Sequence, residues 1–201
     1  MAAKRDPEAT RTSILEAAEE IFLRQGFAEA STSTIARQAG VTKSLIHHHF
    51  GSKQQLWNEV KVHRFRQYAD GQLAMLEQSR PTAELLRESM DLYFHFLQDT
   101  PQLVRLFAWM FLENDEECGE IEQRILKKGV ETLKATQEAG HLRQDVDPRN
   151  LLFTFLFLVE HWFQARRHLC RDLEMEGTQE ELDARYFQDM IKIFFEGVLP
   201  R

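Results

Sequence analysis

The chain has 201 residues, 43% hydrophobic and 28% charged, with a formal net charge of −7, an ordinary composition for a globular protein with either one large core or a head of about 50 residues joined to a larger body. The longest apolar run, Leu151–Val159 broken by Thr154, is far below the ~20 residues of a membrane span, and residues 1–13 are polar, so a cytoplasmic protein with no membrane partner is expected. Two cysteines, Cys118 and Cys170, without CxxC spacing exclude a disulfide framework; both read as reduced thiols, with a redox pairing as the alternative.

Helix boundaries are legible in chain order. Asp6-Pro7 couples an N-cap to a proline at the first helical position, and Ile14, Ala18, Ile21, Phe22 and Gln25 then line one face until Gly26. Ser31 or Thr32 opens a second helix, Gly40 closes it, and Thr42 is placed to N-cap a third that starts at Lys43. Ser52-Lys53-Gln54-Gln55 matches a capping box and predicts a fourth helix to about Tyr68. Pro81-Thr82 introduces a helix to about Asp99, and Thr100-Pro101 repeats the cap-then-proline signal. Gly140 ends an amphipathic stretch from about Glu116, and Asp147-Pro148 starts a helix over 147–170. Thr178-Gln179-Glu180-Glu181 is a second capping box leading to a helix over 178–198. No alternating apolar runs and no fixed-period repeat occur, so the chain reads as all-α with about nine helices.

Thr34–Phe50, TIARQAGVTKSLIHHHF, packs two short helices and a tight turn into one segment, the punctuation of a helix-turn-helix. Leu45 or Ile46 falls at helical spacing with His49 and Phe50, which turns Lys43, Ser44, His47 and His48 outward as a short polar face suited to a major groove. Lys43, Ser44, Leu45 and His47 are the candidates for base edges, and Thr32, Ser33, Thr42, His48 and Lys53 for phosphates; the alternative is that the hydroxyls only cap helices. Three consecutive histidines point about 100° apart on a helix and cannot converge on one ion, so no metal is expected.

Charge agrees with this division. Residues 1–65 carry nine Lys/Arg against seven Asp/Glu, while residues 66–201 carry sixteen against twenty-five, so the acidic excess lies wholly in the C-terminal part.

The segment Ala28–Leu56, with its Thr-Ile-Ala-x-x-Ala-Gly-Val-Thr-Lys run and its Phe50-Gly-Ser-Lys53 exit, resembles the DNA-binding region of TetR-family transcriptional regulators. It departs from that family's pattern in Ser44, where glycine is usual, and in His47 and His48, where a pair of tyrosines is usual. The resemblance implies a DNA-binding head over 1–51, a body over 52–201 that holds an effector and a dimer contact, and a palindromic double-stranded operator as partner.

Eleven of the fifteen phenylalanines lie in residues 66–201. The resemblance places an effector wall at Phe94, Phe107, Trp109, Met110, Phe111, Phe153, Phe157, His161 and Trp162, which suits a small hydrophobic or aromatic molecule, with core packing as the alternative. His95, Gln137, Glu160, His161 and Gln164 supply polar groups able to orient it. Apolar stripes at Leu151, Phe155, Leu158 and Phe163, and at Phe187, Met190, Ile191, Phe194 and Val198, are read as the homodimer interface, the resemblance implying a four-helix bundle between twins. No catalytic constellation is present and no cofactor is called for. The expected function is a homodimeric repressor released by an effector; the alternatives are a small helical carrier or enzyme for an apolar molecule, and a DNA-binding protein that responds to no ligand.

Overall fold

The computed structural model describes residues 6–78, 81–115 and 119–198, and the side chains of Gln67 and Gln78 are not among what it describes. Among the described residues there are nine helices and no strand: α1 (Pro7–Glu29), α2 (Thr32–Gln38), α3 (Lys43–Phe50), α4 (Lys53–Gln78), α5 (Ala83–Asp99), α6 (Pro101–Leu112), α7 (Glu120–Glu138), α8 (Pro148–Asp172) and α9 (Gln179–Val198). The chain packs as two compact units, one built from residues up to Gln67 with Arg105–Gly119, the other from Tyr68–Val104 and the chain from Glu120 onward.

The capping chemistry behaves as the residue types dictate. Asp6, Ser31, Thr82 and Asp147 each accept from a backbone N–H of the first turn that follows. Thr178 and Glu181 exchange side chain for backbone, a complete capping box. Thr42 is the exception: it occupies the N-cap position of α3 but makes no cap bond, and its hydroxyl pairs instead with that of Ser44 at 2.8 Å. The fourth helix runs ten residues past Tyr68, through Gly71, because nothing in that stretch removes a backbone donor or forces a positive φ. The stretch expected from about Glu116 begins its helix at Glu120; Cys118 and part of the acidic patch 113–117 lie outside the described residues.

In the first unit Ile14, Ala18, Ile21 and Phe22 of α1 meet Ile35 of α2, Ile46 and Phe50 of α3, and Leu56, Trp57 and Val60 of α4, all buried. Phe22 and Trp57 pack edge to face at 4.9 Å. The C-terminal half of α6 belongs to this unit: Trp109 Nε1 donates to the Leu23 carbonyl at 3.1 Å, and the Glu113 carboxylate accepts the Ala28 N–H at 3.0 Å. Asp115 accepts from Trp57 Nε1 at 2.5 Å and pairs with Lys61 at 2.7 Å. Gly26 breaks α1 at φ +79°, and a Cβ there would stand 2.7 Å from the Trp109 ring. Dihedral and steric demands therefore both require glycine at this position.

The second unit packs α5, α7, α8, α9 and the end of α4. Its polar hinge pin is Asp183, 2% exposed, which accepts from Trp162 Nε1 at 2.9 Å, Gln179 Nε2 at 3.0 Å and Gln98 Nε2 at 3.3 Å and pairs with Arg166. Trp162 and Tyr186 stack face to face at 4.0 Å beside it. Gln137, buried, donates to the carbonyls of Arg143 and Val146 and so closes the α7–α8 connection.

Candidate nucleic-acid interface and ligand cavity

The turn between α2 and α3 is a Schellman closure. Val41 N–H reaches the Ala36 carbonyl at 2.9 Å and Gly40 N–H that of Arg37 at 3.3 Å, with Gly40 at φ +64°. On α3, Ile46 and Phe50 are buried, Leu45 and His49 half-buried, and Lys43, Ser44, His47 and His48 exposed. The inward and outward sets are those expected from helical spacing. His47 Nδ1 lies 2.8 Å from the Gly51 carbonyl. A carbonyl only accepts, so Nδ1 carries a proton in this bond, and Nε2 is the ring nitrogen left on the exposed side chain. Thr32 is half-buried and Ser33 exposed in the first turn of α2.

Lys53 has a different task from the one its charge suggests. Its Nζ donates to the carbonyls of Phe27 at 2.7 Å, Ala28 at 3.3 Å and Ala30 at 2.9 Å, and sits 4.2 Å from the centroid of the Phe27 ring. An ammonium has three donors, and all three are engaged, which leaves none for a phosphate. Lys53 ties the end of α1 to the start of α4. Among the described residues no group of three His, Cys, Asp or Glu is arranged to hold a metal.

The second unit contains a cavity of about 60 Å³ bounded by α4, α5, α7, α8 and α9. Its wall is mainly aliphatic, with Leu86, Leu133 and Leu152 typical, and the rings of Tyr68, Phe155 and Phe194 complete it. Gln72 and Ser89 add polar groups, and none of the described lining residues is charged. Outside the cavity wall, the Tyr93 hydroxyl donates to Glu160 Oε1 at 2.7 Å. Burial pushes the Glu160 carboxyl above the ordinary carboxylate range, and the Tyr93 hydrogen bond pulls partly the other way.

Residues 14–60 match the family model described as bacterial regulatory proteins, tetR family, and residues 90–187 match that of the tetracyclin repressor-like C-terminal domain. The transcriptional activator FasR of Mycolicibacterium smegmatis is 30% identical over 186 residues, covering 84% of this chain and 78% of that protein. The transcriptional repressor SCO4008 of Streptomyces coelicolor is 30% identical over 164 residues, 80% of this chain and 81% of its own. The chain belongs to the TetR family. It is accordingly a DNA-binding transcriptional regulator with a helix-turn-helix head, and the relatives it matches are transcriptional regulators. The fold agrees. A putative transcriptional regulator from Streptomyces coelicolor superposes with a TM-score of 0.71 at 22% identity, over 92% of this chain and 97% of that one. AibR, solved with isovaleryl coenzyme A and operator DNA, superposes at 0.64 and 22% identity, over 93% and 98%. No described helix is long and apolar enough to cross a membrane.

For this TetR-family chain the structure distributes the expected body residues differently from the sequence reading. None of the nine effector-wall residues lines the cavity. Phe94 is core, its ring 4.9 Å from Phe163 and 4.7 Å from Phe187. Phe107, Trp109 and Met110 fall in the first unit, with Phe107 against Phe65. Phe111 and His161 are exposed, and Trp162 is buried on Asp183. Phe153 and Phe157 are exposed too, stacked on each other at 6.2 Å. Of the expected dimer stripe, Leu151, Phe155, Phe163, Met190, Ile191, Phe194 and Val198 are buried within the unit, and Leu158 and Phe187 half-buried. Leu151, Phe155 and Phe194 line the cavity. On α8, Phe153 and Phe157, expected in the effector wall, are thus exposed, while Leu151 and Phe155, expected in the dimer stripe, are buried at the cavity. A helix apolar on more than one side carries no periodic signal saying which side turns inward.

Proposed function

We propose that the protein is a homodimer whose two heads read a palindromic operator and whose operator affinity is set by a small ligand in the cavity of the second unit. The observation that carries this is α3, a helix with Ile46 and Phe50 buried and Lys43, Ser44, His47 and His48 exposed, closed by a turn of fixed geometry. Lys43, Ser44, Leu45 and His47 contact base edges. The Nε2 acceptor of His47 suits the exocyclic amino groups of adenine or cytosine in the major groove. Thr32, Ser33, Thr42 and His48 hold phosphates, and Lys53 keeps the head together.

A single head of this size buries too little surface for high specificity, so pairing is needed. The exposed apolar residues of the last two helices, Phe153, Phe157 and Ile193, the last two 63% and 69% exposed, support α8 and α9 as the surface that meets the twin. FasR is named an activator and SCO4008 a repressor, and our reading takes repression as the direction, with the protein acting in the cytoplasm. A ligand that prefers the form with mismatched head spacing lowers operator affinity by the same coupling energy with which DNA lowers ligand affinity.

Selection of bound duplexes from a random DNA pool by the purified protein tests this. An enriched palindrome with half-sites one helical turn apart, or a multiple, is expected; folded dimer that enriches nothing refutes the operator reading.

A further inference from the structure

The cavity of the second unit has features that select among ligand chemistries, and the argument from them rests on the reading of that unit as the effector unit. Size comes first. An apolar cavity of about 150 Å³ holds a benzene ring, and this one has about 60 Å³. The space suits a ligand smaller than a benzene ring, a chain of about two to four carbons. Charge comes second. Among the described residues no charged side chain lines the wall, and Tyr68, the one titratable lining group, is held in its neutral form by burial. An ionised ligand group would be buried there unpaired, which is strongly unfavourable.

The third feature is an unmet hydrogen-bonding group. Gln72, on α4 and only 4% exposed, donates from Nε2 to Ser89 Oγ on α5. Its Oε1 is buried with no partner. A buried carbonyl oxygen without a donor is costly and uncommon in folded proteins. Gln72 and Ser89 both lie in the cavity wall, so a ligand in the cavity is positioned to supply the missing donor.

We infer that the cavity takes an uncharged, short-chain aliphatic ligand bearing a hydrogen-bond donor, an alcohol or a primary amide, and that Gln72 Oε1 accepts from it. The aliphatic wall sets affinity through chain length. Gln72 sets selectivity between a donor and an otherwise similar acceptor, and the bond joins the ligand to the α4–α5 pair.

Calorimetric titration of the purified full chain at pH 8 with ethanol through 1-hexanol, 2-butanone, butanoate and benzyl alcohol tests this. The short alkanols should bind, with affinity rising about three- to fourfold per methylene until the space is filled, and falling beyond it. The ketone should bind at least tenfold more weakly than 1-butanol, and butanoate and benzyl alcohol more weakly still. Gln72→Met keeps the volume and removes the carboxamide, so it should abolish the preference for alcohol over ketone while raising thermal stability. Leu133→Phe, which fills the space without touching Gln72, should lose alcohol binding. Equal binding of the ketone, butanoate or benzyl alcohol would overturn the inference. So would an intact alcohol preference in Gln72→Met, or no alcohol binding by folded protein. Operator binding measured on the same samples separates the two failures: if it is intact while alcohols do not bind, only the ligand class is wrong, whereas its absence strikes the regulator reading itself.

Discussion

Helices α3 and α8 make opposite cases. On α3 the buried residues Ile46 and Phe50 and the exposed Lys43, Ser44, His47 and His48 differ chemically, so spacing alone separates inside from outside. On α8 the buried Phe155 and Phe163 and the exposed Phe153 and Phe157 are the same residue type on different faces. Spacing identifies that helix and is silent about its orientation. A short polar helix thus states its role more fully than a long apolar one, although the apolar one contributes more to the core.

The comparison breaks most readily at its buried side. Phe155→Ala should cost about 3–5 kcal/mol in urea unfolding, whereas Phe157→Ala should cost less than ~1 kcal/mol and instead convert the dimer to monomer in sedimentation. Similar stability losses for both would mean that the two faces are not distinct. Asp183→Ala should be comparably severe, about 3–5 kcal/mol, because it leaves the half-buried Arg166 guanidinium and the buried Trp162 indole N–H without their partner.

Effects in the head are smaller and differ in kind. Lys43→Ala should weaken the cognate site by about 1–3 kcal/mol and random DNA much less. Lys53→Met should leave the salt dependence of binding unchanged and lower stability by about 1–2 kcal/mol through three carbonyls losing a charged donor. A flattened salt slope in Lys53→Met would return that lysine to the phosphate set.

The smallest expected effect is pH-dependent. Burial raises the Glu160 carboxyl above its unfolded value, so its protonated form favours folding; that contribution is complete below the unfolded pKa and fades as pH rises through the folded one. Glu160→Gln should therefore raise the melting temperature at neutral pH and flatten its decline between mildly acidic and neutral pH. An unchanged profile in thermal melts would show that Glu160 is not the group responsible.

Much of the fold was legible because helix ends are local chemistry. Asp6, Ser31, Thr82, Asp147 and Thr178 cap where residue type and spacing require. The length of α4 was missed because nothing near Tyr68 breaks the helix, and the next stop signal in the sequence is Pro81, three residues past Gln78. In the candidate site, the outward set of α3 was legible and the task of Lys53 was not, because its three carbonyl partners lie 23 to 26 residues earlier in the sequence. The cavity was hidden for a related reason. Leu86, Leu133 and Leu152 look like any core residues when read one helix at a time. Gln72, polar at a position in line with the buried Tyr68, Leu73 and Leu76, was the signal that could have revealed it.

The contact between Gly26 and Trp109 has an evolutionary consequence. Trimming the indole to a smaller side chain would remove one obstacle beside position 26, but the Glu113 carboxylate, 2.7 Å from a Cβ there, would remain, as would a backbone dihedral that side chains rarely adopt. Release from one constraint does not release the others, so among descendants of this sequence a change at position 109 would not by itself let position 26 follow.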